Sequence, residues 1–244
     1  MPLIASNVKP PVEVIQLTEL ASQAAEGPLA WMGEQGTDEW KDARAGVVTG
    51  TGAVSVITAT GKGADNDKSR GYARKLAGER IDGHSQPTYA NGAMKRGIRL
   101  EPFARRWYER RKCDVCTVTE VGFIYESKDK RWGCSPDGVR SDRLIEIKCP
   151  EYPAMIDILE TSIIPKAYIM QMQFGMWVTG LPLCDFIAYS GSKVPNIVIP
   201  VEADGVIHGW FDEHVPAFAQ QVADKVEWIM KTYGGTPLTS TPDS

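Results

Sequence analysis

The sequence lacks several features that would each indicate a particular class of protein. No stretch approaches the roughly 20 uninterrupted apolar residues that a membrane-spanning helix needs. The first residues carry neither a cluster of positive charges nor a long apolar run, so no secretory signal peptide is predicted. No P-loop pattern indicates ATP binding, and the three histidines form no metal-binding motif. Cysteine is scarce as well. Five thiols in 244 residues fit a reducing cytoplasm better than a disulfide framework, so we expect a cytoplasmic protein without membrane association.

The composition that remains is that of a globular protein. The chain is 43% hydrophobic and 24% charged, which argues against disordered, collagen-like and coiled-coil proteins. Since single domains reach roughly 250 residues, we expect one domain over residues 31–233. An N-terminal extension (1–30) would precede this domain, and a frayed tail (234–244) would follow it. The net charge of −4 does not by itself indicate a nucleic-acid-binding protein.

Hydrophobic periodicity predicts alternating groups of helices and short strands. The helices are predicted over 14–25, 37–44, 71–80, 92–111 with a kink at Pro102, 166–180 and 211–229. The strands are predicted over 117–125, 131–139, 143–149, 184–189 and 196–201. The polar, glycine-containing segment 61–71 predicts a mobile loop. This order predicts an α/β (α+β) fold in which helices flank a central mixed β-sheet.

The segment SPDGVRSDRLIEIKCP (135–150) carries the most informative pattern. A two-residue turn at Ser141-Asp142 places Asp137 opposite Glu146, and Lys148 points to the same side because strand residues alternate faces. Two adjacent carboxylates repel each other unless a cation lies between them, and Mg²⁺ takes oxygen ligands. With a lysine to orient a water or offset charge on a phosphate, these are the parts of a metal-assisted phosphodiester hydrolase. The alternative is a solvated hairpin whose charged residues form surface ion pairs.

Four segments together resemble one nuclease family. Pro136-Asp137 with Glu146-Ile147-Lys148 resembles the PD-(D/E)xK nuclease signature. NGAMKRGIRLEPFARRWYE (91–109) resembles the family helix that presents a glutamate, and KAYIMQMQFGMWVTG (166–180) resembles its glutamine-containing helix. EWKDARAGVVTGT (39–51) resembles a Trp-x-x-x-Arg-x-Gly-x-x-Thr segment. In this order, over about residues 31–230, the segments are similar to the phage-lambda-type exonuclease (YqaJ-like viral recombinase) family.

The resemblance implies a restriction-endonuclease-like core and a Mg²⁺-dependent 5′→3′ exonuclease. Such an enzyme degrades one strand of linear double-stranded DNA, releases 5′-phosphomononucleotides and leaves a 3′ overhang. The resemblance further implies a homotrimeric ring around the DNA, in a bacterial host or encoded by a prophage. A single-strand annealing recombinase would be the partner that uses the overhang. Two rival functions stay open: an endonuclease on the same core, and a DNA-binding module without catalytic activity.

The resemblance also assigns roles to individual residues. Two Mg²⁺ ions, with Mn²⁺ as a substitute, would be held by Asp137, Glu146, Glu101 and the backbone carbonyl of Ile147. Lys148 takes the position of the lysine that handles the nucleophilic water, and Gln171 that of the glutamine beside the scissile phosphate. The group that holds the 5′-phosphate consists of Arg44, Thr51, Trp40 and Thr49. Thr51 stands where the family usually has serine, and both residues offer a hydroxyl donor.

Structural alternatives exist for several of these residues. Glu101 would also be satisfied by an ion pair with Arg105 one turn later, and Arg44 by the dipole at a helix C-terminus. Gln173 is expected to make a structural hydrogen bond rather than to reach the site. The cysteines, including Cys113-x-x-Cys116, are predicted to be reduced thiols rather than zinc or iron–sulfur ligands.

Positive charge is concentrated between residues 68 and 112. The cluster consists of Lys68, Arg70, Arg74, Lys75, Arg80, Lys95, Arg96, Arg99, Arg105, Arg106, Arg110, Arg111 and Lys112. Because acidic residues are more frequent elsewhere, the overall charge conceals a positive surface that suits the DNA backbone. A solvated helix face is the alternative for these charges.

Overall fold

A computed structural model describes residues 28–86, 91–112 and 118–234 of the chain. Seven helices lie within these ranges. They are α1 (Asp38–Ala43), α2 (Gly50–Val56), α3 (Asp67–Asp82), α4 (Gly92–Lys112), α5 (Tyr152–Thr161), α6 (Lys166–Thr179) and α7 (Gly205–Tyr233). Within the described part of the chain, no helix is both long and apolar enough to cross a bilayer.

The described strands form two four-stranded mixed sheets. They are β1 (Leu29–Trp31), β2 (Val48–Thr49), β3 (Phe123–Tyr125), β4 (Trp132–Cys134), β5 (Gly138–Arg140), β6 (Arg143–Lys148), β7 (Leu183–Ala188) and β8 (Ile197–Glu202). The first sheet has the order β1-β3-β4-β2, and the second has the order β5-β6-β7-β8. Each sheet contains one parallel pair, β2 with β4 and β6 with β7, and the other pairs are antiparallel. The predicted α/β class with mixed strands is confirmed, with the strands divided between two sheets.

Alternate residues of β6 face two different layers. Leu144 belongs to the larger hydrophobic core, which α6 and α7 share with the second sheet. Ile145 and Ile147 lie on the other face, where they pack against Ala104 and Tyr108 of α4. The period of two along this strand therefore places Glu146 and Lys148 on the side of α6, and it places the isoleucines against α4.

The long C-terminal helix α7 follows the predicted apolar stripe. Phe211, Val215, Phe218 and Val222 are buried, and Val226 packs against the same core. Asp204 caps the helix by accepting hydrogen bonds from the backbone of Val206 and Ile207 at 2.8 and 3.2 Å. A spacing of three and four residues thus identified the buried face of the helix correctly.

Several predicted bounds differ from the structure. Helix α3 begins at Asp67, inside the predicted loop 61–71, because the Asn66 side chain accepts a hydrogen bond from the Ser69 backbone at 2.9 Å and caps the helix. Helices α2 and α5 were not predicted. Helix α4 includes Pro102 and runs over the whole range 92–112. The predicted helix 14–25 lies outside the described residues.

Candidate active site

The β5–β6 hairpin has the predicted register. Arg140 pairs with Arg143, Val139 with Leu144 and Gly138 with Ile145, so Ser141-Asp142 forms the turn. One step further along, the Asp137 backbone N–H donates to the Ile145 carbonyl at 3.1 Å. The hairpin therefore brings Asp137 to the position opposite Glu146.

Glu146 is only 4% exposed, so the alternative of a solvated hairpin with surface ion pairs does not describe it. Lys148 donates a hydrogen bond from Nζ to Glu146 Oε1. The Asp137 carboxylate accepts a hydrogen bond from the Ile147 backbone N–H at 2.6 Å. These contacts fix the three charged groups of the hairpin relative to one another.

Arg105 links Glu101 of α4 to this hairpin. It donates to Glu101 Oε1 at 2.7 Å and to the Asp137 carbonyl at 3.1 Å. A third contact, at 2.8 Å, joins it to Glu120. The ion pair considered as an alternative for Glu101 is therefore present, and the same arginine ties the glutamate to the Asp137 segment.

The acidic groups of the site influence each other's protonation. Burial, and then the charge of Asp137, raises the pKa of Glu101 to about 7 against the opposing effect of Arg105. Burial also raises the pKa of Glu146 to about 7, although Lys148 opposes the shift. The pKa of Asp137 is raised by burial as well. Burial lowers the pKa of Lys148, but the charges of Glu146 and Asp137 outweigh that effect, so the net shift is upward and the ammonium keeps its proton.

Arg44 lies at the C-terminal end of α1, where its guanidinium carbon is 4.0 Å from the Trp40 ring centre. Its Nε is buried and makes no hydrogen bond to any described residue. Burial lowers the pKa of the guanidinium, which nevertheless stays charged near neutral pH. A half-buried cation with an unused donor favours an anion as its partner.

Trp40 contacts this arginine and also forms a hydrogen bond to the loop that precedes Asp137. Its indole N–H donates to the Gly122 carbonyl at 2.9 Å and to Ser135 Oγ at 3.2 Å. Thr37 caps α1 as the sequence predicts, with its hydroxyl accepting from the Trp40 backbone at 3.1 Å. Trp40 thus connects α1 to the segment that carries Asp137.

One cleft of about 430 Å³, including the open space at its mouth, collects residues from both groups. Arg44, Thr49, Thr51, Ser135, Glu146 and Gln171 line it. The hydroxyls of Thr49 and Thr51 lie 3.3 Å apart. Gln173 lies away from the cleft, where it donates to the Glu202 carbonyl at 2.7 Å and accepts from the Asp204 backbone at 2.8 Å. Its predicted structural role is confirmed.

The sequence matches the family model of the YqaJ-like viral recombinase domain over residues 39–182. This chain belongs to that family. The matched range covers more than half of the chain and contains the predicted site residues from Trp40 to Gln171.

Three solved structures of exonucleases resemble this YqaJ-like domain. An alkaline exonuclease (LHK-Exo) from Laribacter hongkongensis is 32% identical, with a TM-score of 0.71 over 81% of this chain and 98% of the other. A complex of LHK-Exo with dAMP matches with the same values. A phage-related exonuclease from Haemophilus somnus 129PT, 16% identical over 75% of this chain and 96% of the other, has a TM-score of 0.57 and shows the shared fold. The comparison with curated proteins gave no match.

The donor set of the YqaJ-like domain suits a hard divalent cation. Within the described residues, no three His, Cys, Asp or Glu side chains are placed closely enough to form a metal site by themselves. Asp137 and Glu146 nevertheless share the end of one hairpin, and Glu101 adds a third negative group beside Asp137. Mg²⁺ needs only one or two carboxylates because it keeps several of its waters. The residues therefore fit Mg²⁺ better than a softer metal that prefers thiolate ligands.

The sequence patterns did not predict two residues that lie near the cleft. Ser135 lines the cleft two positions before Asp137 and donates to the Gly122 carbonyl at 3.0 Å. Gln35 donates from Nε2 to the carbonyls of Val121 and Pro136 at 2.8 and 2.9 Å. Proximity to the Pro-Asp motif was a usable signal for Ser135. Gln35 had no comparable signal because its partners are backbone atoms 86 and 101 residues away.

The described cysteines behave as reduced thiols. Cys134 and Cys184 are buried, Cys149 is half-buried, and all three are free. Burial raises the pKa of each of them, that of Cys149 to about 11. Cys113 and Cys116 lie outside the described residues.

Part of the predicted positive cluster makes internal contacts. Arg70 pairs with Asp65 and Asp67, and Arg80 donates to the Gly46 carbonyl at 2.8 Å. Arg96 donates to the carbonyls of Cys149 and Ser190. The backbone contacts of Arg80 and Arg96 tie these two residues to the fold, whereas Arg99, Arg106, Arg110 and Arg111 are exposed on α4. Only a part of the cluster is therefore suited to contact DNA.

Proposed function

We propose that the chain is a Mg²⁺-dependent 5′→3′ exonuclease that degrades one strand of linear double-stranded DNA and leaves a 3′ overhang. One observation carries the proposal: a single cleft holds the buried carboxylate Glu146 together with the cation Arg44, whose Nε has no hydrogen-bond partner among the described residues. A carboxylate that suits a metal and a guanidinium that suits a phosphate are the two requirements for cutting next to a DNA end.

Arg44 would bind the 5′-terminal phosphate in this proposal. The hydroxyls of Thr49 and Thr51 lie in the same cleft and can donate to phosphate oxygens. Trp40 supports the arginine by stacking beneath it. Anchoring the terminal phosphate fixes the distance from the chain end to the cleaved bond, and that distance sets the direction of digestion.

Asp137, Glu146, Glu101 and the Ile147 carbonyl would hold the metal. The ion, when bound, lowers the pKa of a water and offsets negative charge on the phosphate. Lys148 keeps its proton here, so its role in this proposal is to donate a hydrogen bond that orients the water or stabilises charge on the phosphate. Gln171 lines the cleft and would donate its amide to the scissile phosphate.

The relatives support this choice over the rival functions. LHK-Exo, which is 32% identical, is an alkaline exonuclease, and its complex with dAMP contains a nucleoside monophosphate. A nucleoside 5′-monophosphate is the product that the proposed reaction would release. The endonuclease and the non-catalytic binding module have no comparable support.

A duplex with different ends tests the proposal. Linear DNA carrying one 5′-phosphate and one 5′-hydroxyl end, with each strand labelled separately, is incubated with Mg²⁺, Mn²⁺ or EDTA. We expect metal-dependent loss of the strand that begins with the 5′-phosphate, release of mononucleotides and an intact complement. Covalently closed circular duplex should resist digestion because it has no end.

Two matched variants distinguish the loss of a metal ligand from a general effect of removing a carboxylate. Asp137→Asn should abolish digestion while leaving the chain folded, whereas Asp129→Asn, at an exposed turn, should digest DNA like the wild type. Internal fragments from the circular duplex would support the endonuclease. Full activity of Asp137→Asn would refute the metal assignment, and tight DNA binding by the wild type without any digestion would support the binding module.

The proposed homotrimeric ring and the annealing recombinase partner rest on the family resemblance. A ring around the duplex would keep the enzyme on its substrate between successive cuts. Sedimentation of the full chain should give the mass of three copies. Co-sedimentation with the annealing recombinase of the same phage would test the partner.

A further inference from the structure

Three arginines and three aromatic side chains form a second surface outside the cleft. This arginine–aromatic surface consists of Phe103, Arg106, Trp107, Arg110, Arg111 and Tyr189, and it lies in a shallow depression. The arginines are exposed, and Phe103 is 52% exposed, which is a large fraction for a phenylalanine. The half-buried rings of Trp107 and Tyr189 lie 6.2 Å apart. The surface therefore combines positive charge with accessible aromatic rings.

The surface begins close to the proposed active site but faces another direction. Tyr189 donates its backbone N–H to the Lys148 carbonyl at 2.9 Å, so both residues lie where the neighbouring parallel strands β6 and β7 end. Helical residues turn by about 100° each, which places Phe103 and Arg110 on the side of α4 opposite Glu101.

We propose that the arginine–aromatic surface binds single-stranded DNA that emerges from the active site, an inference that rests on the exonuclease function proposed above. Charge complementarity favours a polyanion, since none of the described residues that line this surface is acidic. The nearby Glu109 accepts a hydrogen bond from the Val118 backbone at 3.0 Å. The partner is therefore a nucleic acid rather than an apolar surface.

The aromatic rings select single strands over duplex DNA. The Arg106 guanidinium carbon lies 5.0 Å from the Phe103 ring centre, and that of Arg111 lies 5.4 Å from the Trp107 ring centre. Each of these rings thus has a cation beside it, which suits simultaneous contact with a base and its phosphate. Unpaired bases expose faces that stack on such rings, whereas a duplex offers only its phosphates.

Fluorescence anisotropy with a labelled 15-nucleotide oligothymidylate tests the proposal on the full chain in EDTA, where no cleavage is expected. Phe103→Leu keeps an apolar side chain but removes the ring, and we expect it to weaken binding about tenfold, the effect of one lost stacking contact. Phe103→Tyr should restore wild-type affinity. A blunt duplex of equal length should bind both variants equally well, because it does not stack on the ring.

Trp228→Leu is the matched control. Trp228 is 58% exposed on α7 and lies near Arg74 and Lys225, so it also combines an exposed ring with positive charge. Equal weakening by Trp228→Leu, equal loss of duplex binding by Phe103→Leu, or unchanged oligothymidylate binding by Phe103→Leu would each overturn the proposal. A change in sedimentation of Phe103→Leu would overturn it too, since it would assign the surface to a second copy of the chain.

The two proposals fail separately. In one outcome the wild type digests duplex DNA and the Phe103→Leu variant binds oligothymidylate normally. This result supports the exonuclease function and overturns the proposal that the arginine–aromatic surface binds single-stranded DNA. A wild-type chain that digests no DNA but loses oligothymidylate binding through Phe103→Leu overturns the exonuclease function. In that case the arginine–aromatic surface still binds single-stranded DNA, but that strand does not come from digestion in the cleft.

Discussion

Arg44 has a structural role in the fold and also a side-chain donor that is available to bind an anion. It ends α1 and stacks on Trp40, yet its buried Nε lacks a hydrogen-bond partner among the described residues. Arg44→Lys keeps the charge but loses the planar fork that binds two phosphate oxygens. We expect digestion from a 5′-phosphate end to slow about tenfold or more, since a charge-assisted hydrogen bond contributes roughly 1.5–3 kcal/mol. Initial rates on 5′-phosphate and 5′-hydroxyl ends give the measurement.

Arg131→Lys is the control for this change. Arg131 lies 4.5 Å over Trp132 and also has a buried Nε, but it does not line the cleft. The Arg131→Lys variant should still digest DNA faster from a 5′-phosphate end than from a 5′-hydroxyl end. If Arg44→Lys also keeps that preference at wild-type rates, the terminal phosphate is bound elsewhere.

At the scale of elements, α2 packs unusually closely against its neighbours. A Cβ added at Gly52 would lie 2.1 Å from the Tyr72 hydroxyl oxygen, and Tyr72 is itself held by stacking on Phe218 and by a hydrogen bond from the Thr49 backbone. Gly52→Ala should therefore destabilise the chain by about 1–3 kcal/mol, as overpacking does, although alanine ordinarily favours a helix. Thermal and denaturant unfolding would measure the loss.

Gly78→Ala provides the opposite expectation within the same protein. Gly78 lies in α3 with nothing within 4 Å of an added Cβ. The substitution should stabilise the chain by about 0.5–1 kcal/mol because it restricts the unfolded state and suits a helix. Equal effects of the two substitutions on stability would show that the close contact with Tyr72 does not limit the side chain at position 52.

Local patterns identified some elements and missed others for physical reasons. The β5–β6 hairpin was predicted down to its register because the assumed two-residue turn at Ser141-Asp142 determines which residues face each other, and alternation along Leu144–Lys148 assigns their faces. Helix α2 was missed because its two glycines favour a loop locally, and only tertiary packing of its small residues makes it helical. Helix α5 has just two buried residues, Met155 and Ile158, which give a weak periodic signal.

For the whole molecule, long-range pairing was beyond the reach of local patterns. Strand β2 pairs with β4 across about 80 residues, which divides the strands between two sheets. The meeting of Arg44 and Glu146 in one cleft likewise depends on packing between distant segments. The family resemblance predicted both groups of residues, whereas spacing alone predicted only the hairpin carboxylates and Lys148. A single domain over 31–233 stays a prediction.

The carboxyl groups of the site also connect pH to the stability of the whole chain. Burial raises the pKa of Glu101 and Glu146 to about 7 from an ordinary value of 4.5, so the folded chain binds these protons more tightly than the unfolded chain does. Without a divalent cation, the free energy of unfolding should therefore fall as pH rises from about 5 to about 8. Mg²⁺ binds the ionised carboxylates and should restore more stability at pH 8 than at pH 5.

Thermal unfolding in EDTA and in Mg²⁺, each at pH 5.5 and pH 8, measures this coupling. Glu146→Gln removes one of the titrating groups and should reduce both the fall in melting temperature with pH and the stabilisation by Mg²⁺. Glu160→Gln removes an exposed carboxylate of α5 and should change neither quantity. A wild-type melting temperature that responds equally to Mg²⁺ at both pH values would contradict the assignment of these carboxylates as the metal ligands, because ligands that must lose a proton bind the cation more tightly at higher pH.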